Sequence, residues 1–364
     1  MPNILTSAAA FLKRERGYRL LFIFVVVFYA AAAFNAHRHE PEKRDQQAFE
    51  KYEEAEKQLQ QQVRDPQAVL EFMRTHPRLV RVFGGFLGVV ALFFFTGMVL
   101  NGLHIFSPAW RRGIAADWIP QEKTQWTFSL LAKMILLFLT FAVILSMGFE
   151  LVKVMLPVKL SENFYLILHT TFVDIGVLVL MIFVLHREKG DWKDLGFWRP
   201  RNGWLPECLA GWGGYAAVLP LFTFCLIFLA VLAEIFSYEP PPHPLVHVLL
   251  EEERRSPWLV AYSVLLATCV GPILEELFFR GFCYRIFKNR MGIVWGTLLS
   301  AGLFAWIHES SFAFWPIFIL GIGLTRLYEK RKSIVAPVVL HMTHNTVFMT
   351  YFYLAKHVIQ AATM

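Results

Sequence analysis

Charge-poor apolar runs recur along the chain, near residues 18–36, 82–103, 128–149, 164–185, 208–233, 257–278, 291–308, 311–327 and 334–355. A hydrocarbon core about 30 Å thick takes roughly 20 apolar residues as a helix. Inside lipid a segment must also pair its own backbone N–H and C=O groups, and a helix does so without a partner. The pattern therefore predicts an all-α, polytopic membrane bundle of about 8–9 transmembrane helices, with a helical extramembrane loop after the first.

Composition agrees. The 364 residues are 56% hydrophobic and 17% charged, too little charge to cover a soluble surface. The net charge of +7 suits basic cytoplasmic loops. No basic stripe is interleaved with exposed aromatics, so nucleic acid is not an expected partner. The expected partners are the lipid bilayer and a membrane-associated substrate; oligomeric state is left open. Cys208, Cys225, Cys269 and Cys283 form no CxxC pair, which argues against a disulfide framework or a cysteine zinc site.

Lys and Arg cluster in alternate loops. The N-terminus carries Lys13, Arg14, Arg16 and Arg19; later clusters are Arg111, Arg112 and Lys123, then Arg187 to Arg201, Lys288 and Arg290, and Lys330 to Lys332. This alternation predicts a cytoplasmic N-terminus, with the 37–78 loop outside, in a bacterial inner membrane. The first run also fits a signal peptide followed by "AAAAFNA", but its length favours an uncleaved anchor. Four regions are expected: an anchor at 1–36, a charged helical loop at 37–78, accessory helices at 79–200, and a core at 201–356.

The last four runs carry polar residues. In "GPILEELFFRG", Glu276 and Arg280 lie four apart and can pair, while Glu275 points about 100° away. "FAWIHE" puts Phe304 and His308 on one face, and "HMTHNT" does the same for His341 and Asn345. If the chain turns at Met291-Gly292, Glu275 and His308 both lie about 24 to 26 Å from the turn, at one level of an antiparallel hairpin. His341 enters the next helix about 13 Å beyond Lys332. Glu275, His308, His341 and Asn345 are thus expected to converge below the cytoplasmic face.

A carboxylate and two imidazoles (Glu275, His308 and His341) suit a zinc ion with an open position for water. Glu275 can equally act on water as a general base without metal, with the histidines and Asn345 stabilising an oxyanion. Both versions lead to peptide hydrolysis, and the sequence leaves them open.

"EELFFR" matches EExxxR, "FAWIH" matches FxxxH and "HMTHN" matches HxxxN, in that order. In these motifs the chain resembles the CAAX-processing and bacteriocin-immunity family of intramembrane proteases, which includes the type II CAAX prenyl endopeptidases. The resemblance covers about 255 to 355. It implies an all-helical membrane core in which Glu275, His308, His341 and Asn345 are catalytic, with Glu276 and Arg280 in support. "DLGFW" before the fifth run is similar to the family's lead-in. The implied activity is an intramembrane metalloendopeptidase or glutamate-dependent peptidase acting on a membrane-associated or lipidated peptide.

His169 and His344 read as helix–helix hydrogen-bonding residues, and Asp174 as a polar contact between helices. Two other functions fit such a chain. A non-catalytic scaffold or immunity protein of the same fold would tolerate loss of Glu275. A transporter would use the carboxylates as an ion path, but would usually show paired halves with interrupted spans; no such repeat is present.

Overall fold

The computed structural model describes residues 16–36, 54, 58–59, 65–109, 126–155, 160–188, 195–196, 203–238, 244–253, 255–308 and 310–362. Most of the 37–64 loop, the Arg111–Lys123 cluster and the basic residues from Lys189 to Arg201 lie outside them. Every regular element among the described residues is helical. In chain order these are α1 (Arg16–Ala36), α2 (Pro66–Thr75), α3 (Pro77–Phe106), α4 (Phe128–Met155), α5 (Glu162–Arg187), α6 (Trp204–Ile235), α7 (Pro244–Glu251), α8 (Pro257–Leu265), α9 (Gly271–Glu276), α10 (Arg285–Trp306), α11 (Ser311–Arg331) and α12 (Val335–Ala362). Two π-helical segments, Leu266–Val270 and Leu277–Tyr284, join α8 to α9 and α9 to α10.

Local chemistry sets several helix starts. Asp65 accepts from the Gln67 amide at 2.9 Å and Pro66 opens α2. Ser161 and Ser310 cap α5 and α11 through the amides of Phe164 and Ala313. Long apolar faces remain exposed, as on α3, where Leu92, Phe95 and Val99 are all more than 60% accessible. In water such faces would be a liability; against lipid tails they are the expected surface.

Among the described residues, six stretches pass as long and apolar enough to cross a membrane: α3, α4, α5, α6, the continuous helical stretch Pro257–Trp306, and α11. The runs expected at 257–278 and 291–308 belong to one helical stretch, which reverses at Gly292 rather than at a loop. The runs expected at 18–36 and 334–355 form the helices α1 and α12.

The chain divides into two compact units. Residues 1–42 and 123–191 form the first, which holds α1, α4 and α5. Residues 43–122 and 192–364 form the second. Within the second unit α3 packs on α6, where Asn101 donates to the Ala217 carbonyl at 2.9 Å and Phe93 meets Tyr215 edge-on.

In the second unit the polypeptide folds back on itself at Gly292, whose φ of 82° and ψ of 176° are open in practice only to glycine. The arm after the turn lies along the second π segment. Ser300 Oγ donates to the Phe279 carbonyl at 3.1 Å, and Phe304 stacks edge-on against Phe279 at 5.2 Å. Behind the same segment sits Leu195 of the "DLGFW" stretch, 1% exposed. A Cβ at Gly281 would come within 2.7 Å of the Leu195 carbonyl oxygen, so only glycine admits this approach.

Candidate active site

Glu275 and Glu276 end α9, between the two π segments. An extra residue in a helical turn rotates the residues beyond it and opens carbonyls that regular α-bonding would occupy, a device frequent at functional sites. Glu276 is fully buried, as is Arg280 in the second π segment, and Arg280 Nη1 donates to Glu276 Oε1 at 2.6 Å. The guanidinium also reaches the Gly321 carbonyl on α11 at 3.4 Å and lies 4.4 Å from the Phe304 ring centroid. Phe304 thus gives a cation–π face to a charge held out of water.

The pairing of Glu276 does not end with Arg280. His341, 3% exposed in the second turn of α12, donates from Nδ1 to the same Glu276 oxygen at 2.9 Å. A carboxylate can only accept there, so the proton sits on Nδ1 and the Nε2 lone pair faces the other way. That lone pair faces Glu275, whose Oε2 lies 3.8 Å from His341 Nε2. The distance is too long for a hydrogen bond. Glu275 Oε2 is itself shielded from solvent and has no hydrogen-bond partner, although the side chain as a whole is 33% exposed. One carboxylate of the adjacent pair orients the imidazole; the other is held beside it with an oxygen to spare.

His308 is placed by the same logic on another element. It lies past the end of α10 in a turn, rather than on the helix face expected from its spacing. Its Nδ1 lies 2.7 Å from the Phe304 carbonyl, which can only accept, so Nε2 again carries the lone pair. Phe304 is the shared wall, edge-on to His308 at 5.0 Å and to His341 at 5.5 Å. Asn345, one turn beyond His341, donates from Nδ2 to the Ala267 carbonyl at 2.7 Å, within the first π segment. The structure therefore gathers Glu275, Glu276, Arg280 and His341 directly, links His308 through Phe304, and ties Asn345 to the backbone of the first π segment.

The other histidines face elsewhere. His344 packs against Phe222 at 4.8 Å and Tyr215 at 6.1 Å, both on α6. His169, in the first unit, hydrogen bonds to Ser146 at 3.0 Å. His308 and His341, each with Nδ1 anchored, have the tautomer a metal ligand needs. Yet among the described residues no three His, Cys, Asp or Glu side chains are gathered closely enough to hold an ion. The arrangement as it stands does not fit the zinc set Glu275, His308 and His341.

Sequence reasoning missed a second ionic cluster. Glu329 of α11, 6% exposed, accepts from Lys288 at 2.6 and 2.8 Å, from Lys332 at 2.5 Å and from Tyr284 at 2.8 Å. Nearby in the chain, Arg331 donates to the buried Glu207 of α6. Their signal was a single acidic residue next to a basic run at the end of an apolar helix. These pairs fasten the hairpin around Gly292 to α11, and α11 to α6. They hold the scaffold of the site rather than its chemistry.

Residues 257–347 match the family model described as type II CAAX prenyl endopeptidase Rce1-like. The chain carries an Rce1-like domain. All three motifs, from Glu275 to Asn345, lie inside this Rce1-like segment. Two curated proteins are similar over parts of the chain. One is "UPF0177 protein YbdJ" of Lactococcus lactis, 23% identical over 185 residues, which is 48% of this chain and 73% of that protein. The other is "Putative membrane peptidase YdiL" of Bacillus subtilis, 26% identical over 87 residues, 24% of this chain and 36% of that protein. No solved structure matches the chain. With six apolar helical stretches long enough to cross a bilayer among the described residues, and an Rce1-like domain, the protein is an integral, multi-pass membrane protein.

Proposed function

We propose that the Rce1-like domain is an intramembrane endopeptidase in which Glu275 activates the attacking water. The observation that carries this reading is the unpartnered, shielded Oε2 of Glu275 facing the Nε2 lone pair of His341 across 3.8 Å. Both atoms are acceptors. A water entering between them donates one O–H to each, and its oxygen is left to attack a carbonyl carbon. The family description and the name given to the Bacillus subtilis relative both point to peptide hydrolysis.

The steps balance on the chain's own groups. Glu275 takes a proton as the water oxygen bonds to the peptide carbon, forming a tetrahedral oxyanion. The same carboxyl then gives the proton to the amide nitrogen. The C–N bond breaks, leaving a carboxylic acid and an amine. Asn345 Nδ2 has two N–H groups and spends one on Ala267, so the second is a fixed donor for the oxyanion. His308, with Nδ1 anchored, acts at Nε2 on the far side of Phe304. Glu276 and Arg280 hold His341 and do not touch the reacting atoms. A substrate that reaches the site from the bilayer is a membrane-associated or lipidated peptide, the class that the family description suggests.

The test is cleavage of a membrane-peptide library by purified protein and by Glu275→Gln. Loss of a positioned general base lowers the rate by about 10² to 10⁴-fold. Glu275→Gln should do this with an unchanged melting temperature. Equal cleavage by both proteins refutes the assignment. Metal analysis of the same preparation, with chelator treatment, tests the zinc alternative. Activity in metal-free protein supports Glu275 as a general base acting without metal, and activity restored only by added zinc replaces that mechanism.

A further inference from the structure

The first unit holds a cavity that peptide hydrolysis does not use. α1, α4 and α5 enclose about 160 Å³ near one set of their ends. The buried side chains of Met134 and Val184 supply an apolar floor. The rim is polar. Lys133 and Arg187 contribute two cations, and Thr127 and Ser129 contribute hydroxyls. Lys133 lies in the second turn of an apolar, membrane-length helix, with its ammonium 5.2 Å from the Tyr18 ring centroid. A lysine so placed is kept only where its head reaches water or an anion. Glu188 is the single carboxylate on the wall, outnumbered by the two cations.

Position sharpens the chemistry. Tyr18 is near the start of α1, Thr127 precedes α4, and Arg187 ends α5. Under the orientation expected from the loop charges, all three ends belong to the cytoplasmic side, and the structure brings them to one cavity. A pocket of mixed lysine, arginine and hydroxyl donors over an apolar floor, at the level of the headgroups, matches an amphiphile with a phosphate head. We propose that this cavity binds the headgroup phosphate of an anionic phospholipid, with Lys133 and Arg187 on the phosphate oxygens and the acyl chains leaving along the exposed face of Phe183 on α5.

Binding of phosphatidylglycerol, phosphatidylcholine and inorganic phosphate to the full-length protein in detergent, read by native mass spectrometry, tests this. Wild-type protein should retain phosphatidylglycerol over phosphatidylcholine. The double variant Lys133→Gln/Arg187→Gln should weaken phosphatidylglycerol binding by roughly tenfold or more, the effect of losing charge-assisted hydrogen bonds. Glu188→Gln should strengthen it, by removing the one repulsive charge. That opposite change separates a site effect from general damage to the fold. Equal retention of both lipids by wild type and all variants overturns the proposal. Displacement of phosphatidylglycerol by inorganic phosphate also overturns it, assigning the cavity to a soluble phosphate.

Discussion

At the scale of single residues, adjacent carboxylates stand in different surroundings. Glu276 is held by Arg280 and His341, and it fixes both a charge and a tautomer. Breaking a buried ion pair from one side leaves the other charge uncompensated, at a cost of about 3–5 kcal/mol. Arg280→Met should therefore lower the melting temperature strongly, and Glu276→Leu/Arg280→Met together should recover much of the loss. Thermal unfolding in mild detergent reads both. If the double variant is no more stable than Arg280→Met, the pair is not the source of the effect. Lys332, just beyond the end of α11, offers a pH signature. Burial pushes its ammonium down from 10.5 to about 8, against the opposing hydrogen bond and charge of Glu329, with Lys288 adding to the lowering. The unfolded chain then holds more protons between about pH 8 and 10.5, so stability rises with pH across that window. Lys332→Gln should flatten the rise; an unchanged slope would place its origin elsewhere.

At the scale of elements, two irregularities make the site. The reversal at Gly292 lets the arm holding Phe304 lie on the segment holding Arg280. Gly292→Ala forces a side chain into a glycine-only conformation and should destabilise the fold by about 1–3 kcal/mol. Denaturant or thermal melts measure this directly; a neutral result would mean that the turn has another low-energy form. Within the first π segment, the Ala267 carbonyl accepts from Asn345. Asn345→Ala leaves that carbonyl unpaired and should cost about 1–3 kcal/mol, together with a fall in kcat. Asn345→Asp can still fill the space but not donate, so it should be no better. A fall in kcat with no change in stability would assign Asn345 to the oxyanion alone.

At the scale of the whole molecule, the loop charges predict a cytoplasmic N-terminus. Accessibility of cysteines introduced at residues 40 and 330 to a membrane-impermeant reagent checks this in intact cells. Labelling at 40 and protection at 330 are expected, and the reverse pattern inverts the topology.

The all-helical membrane bundle was legible in the sequence because apolar length alone sets a span, with no long-range information needed. The turn at Met291-Gly292 and the pairing of Glu276 with Arg280 were legible too, since both depend on residues close in the chain. Three things depended on the tertiary structure. The grouping of α3 with α6 rests on packing between residues more than a hundred apart. The second bond of Glu276, to His341, spans 65 positions, and no spacing rule reaches that far. The placement of His308 off the helix face is set by where α10 ends. Periodicity presents side chains one helix at a time; which faces meet is decided by how the helices pack, and that gave Glu276 a second partner in His341 while leaving Glu275 Oε2 unbonded.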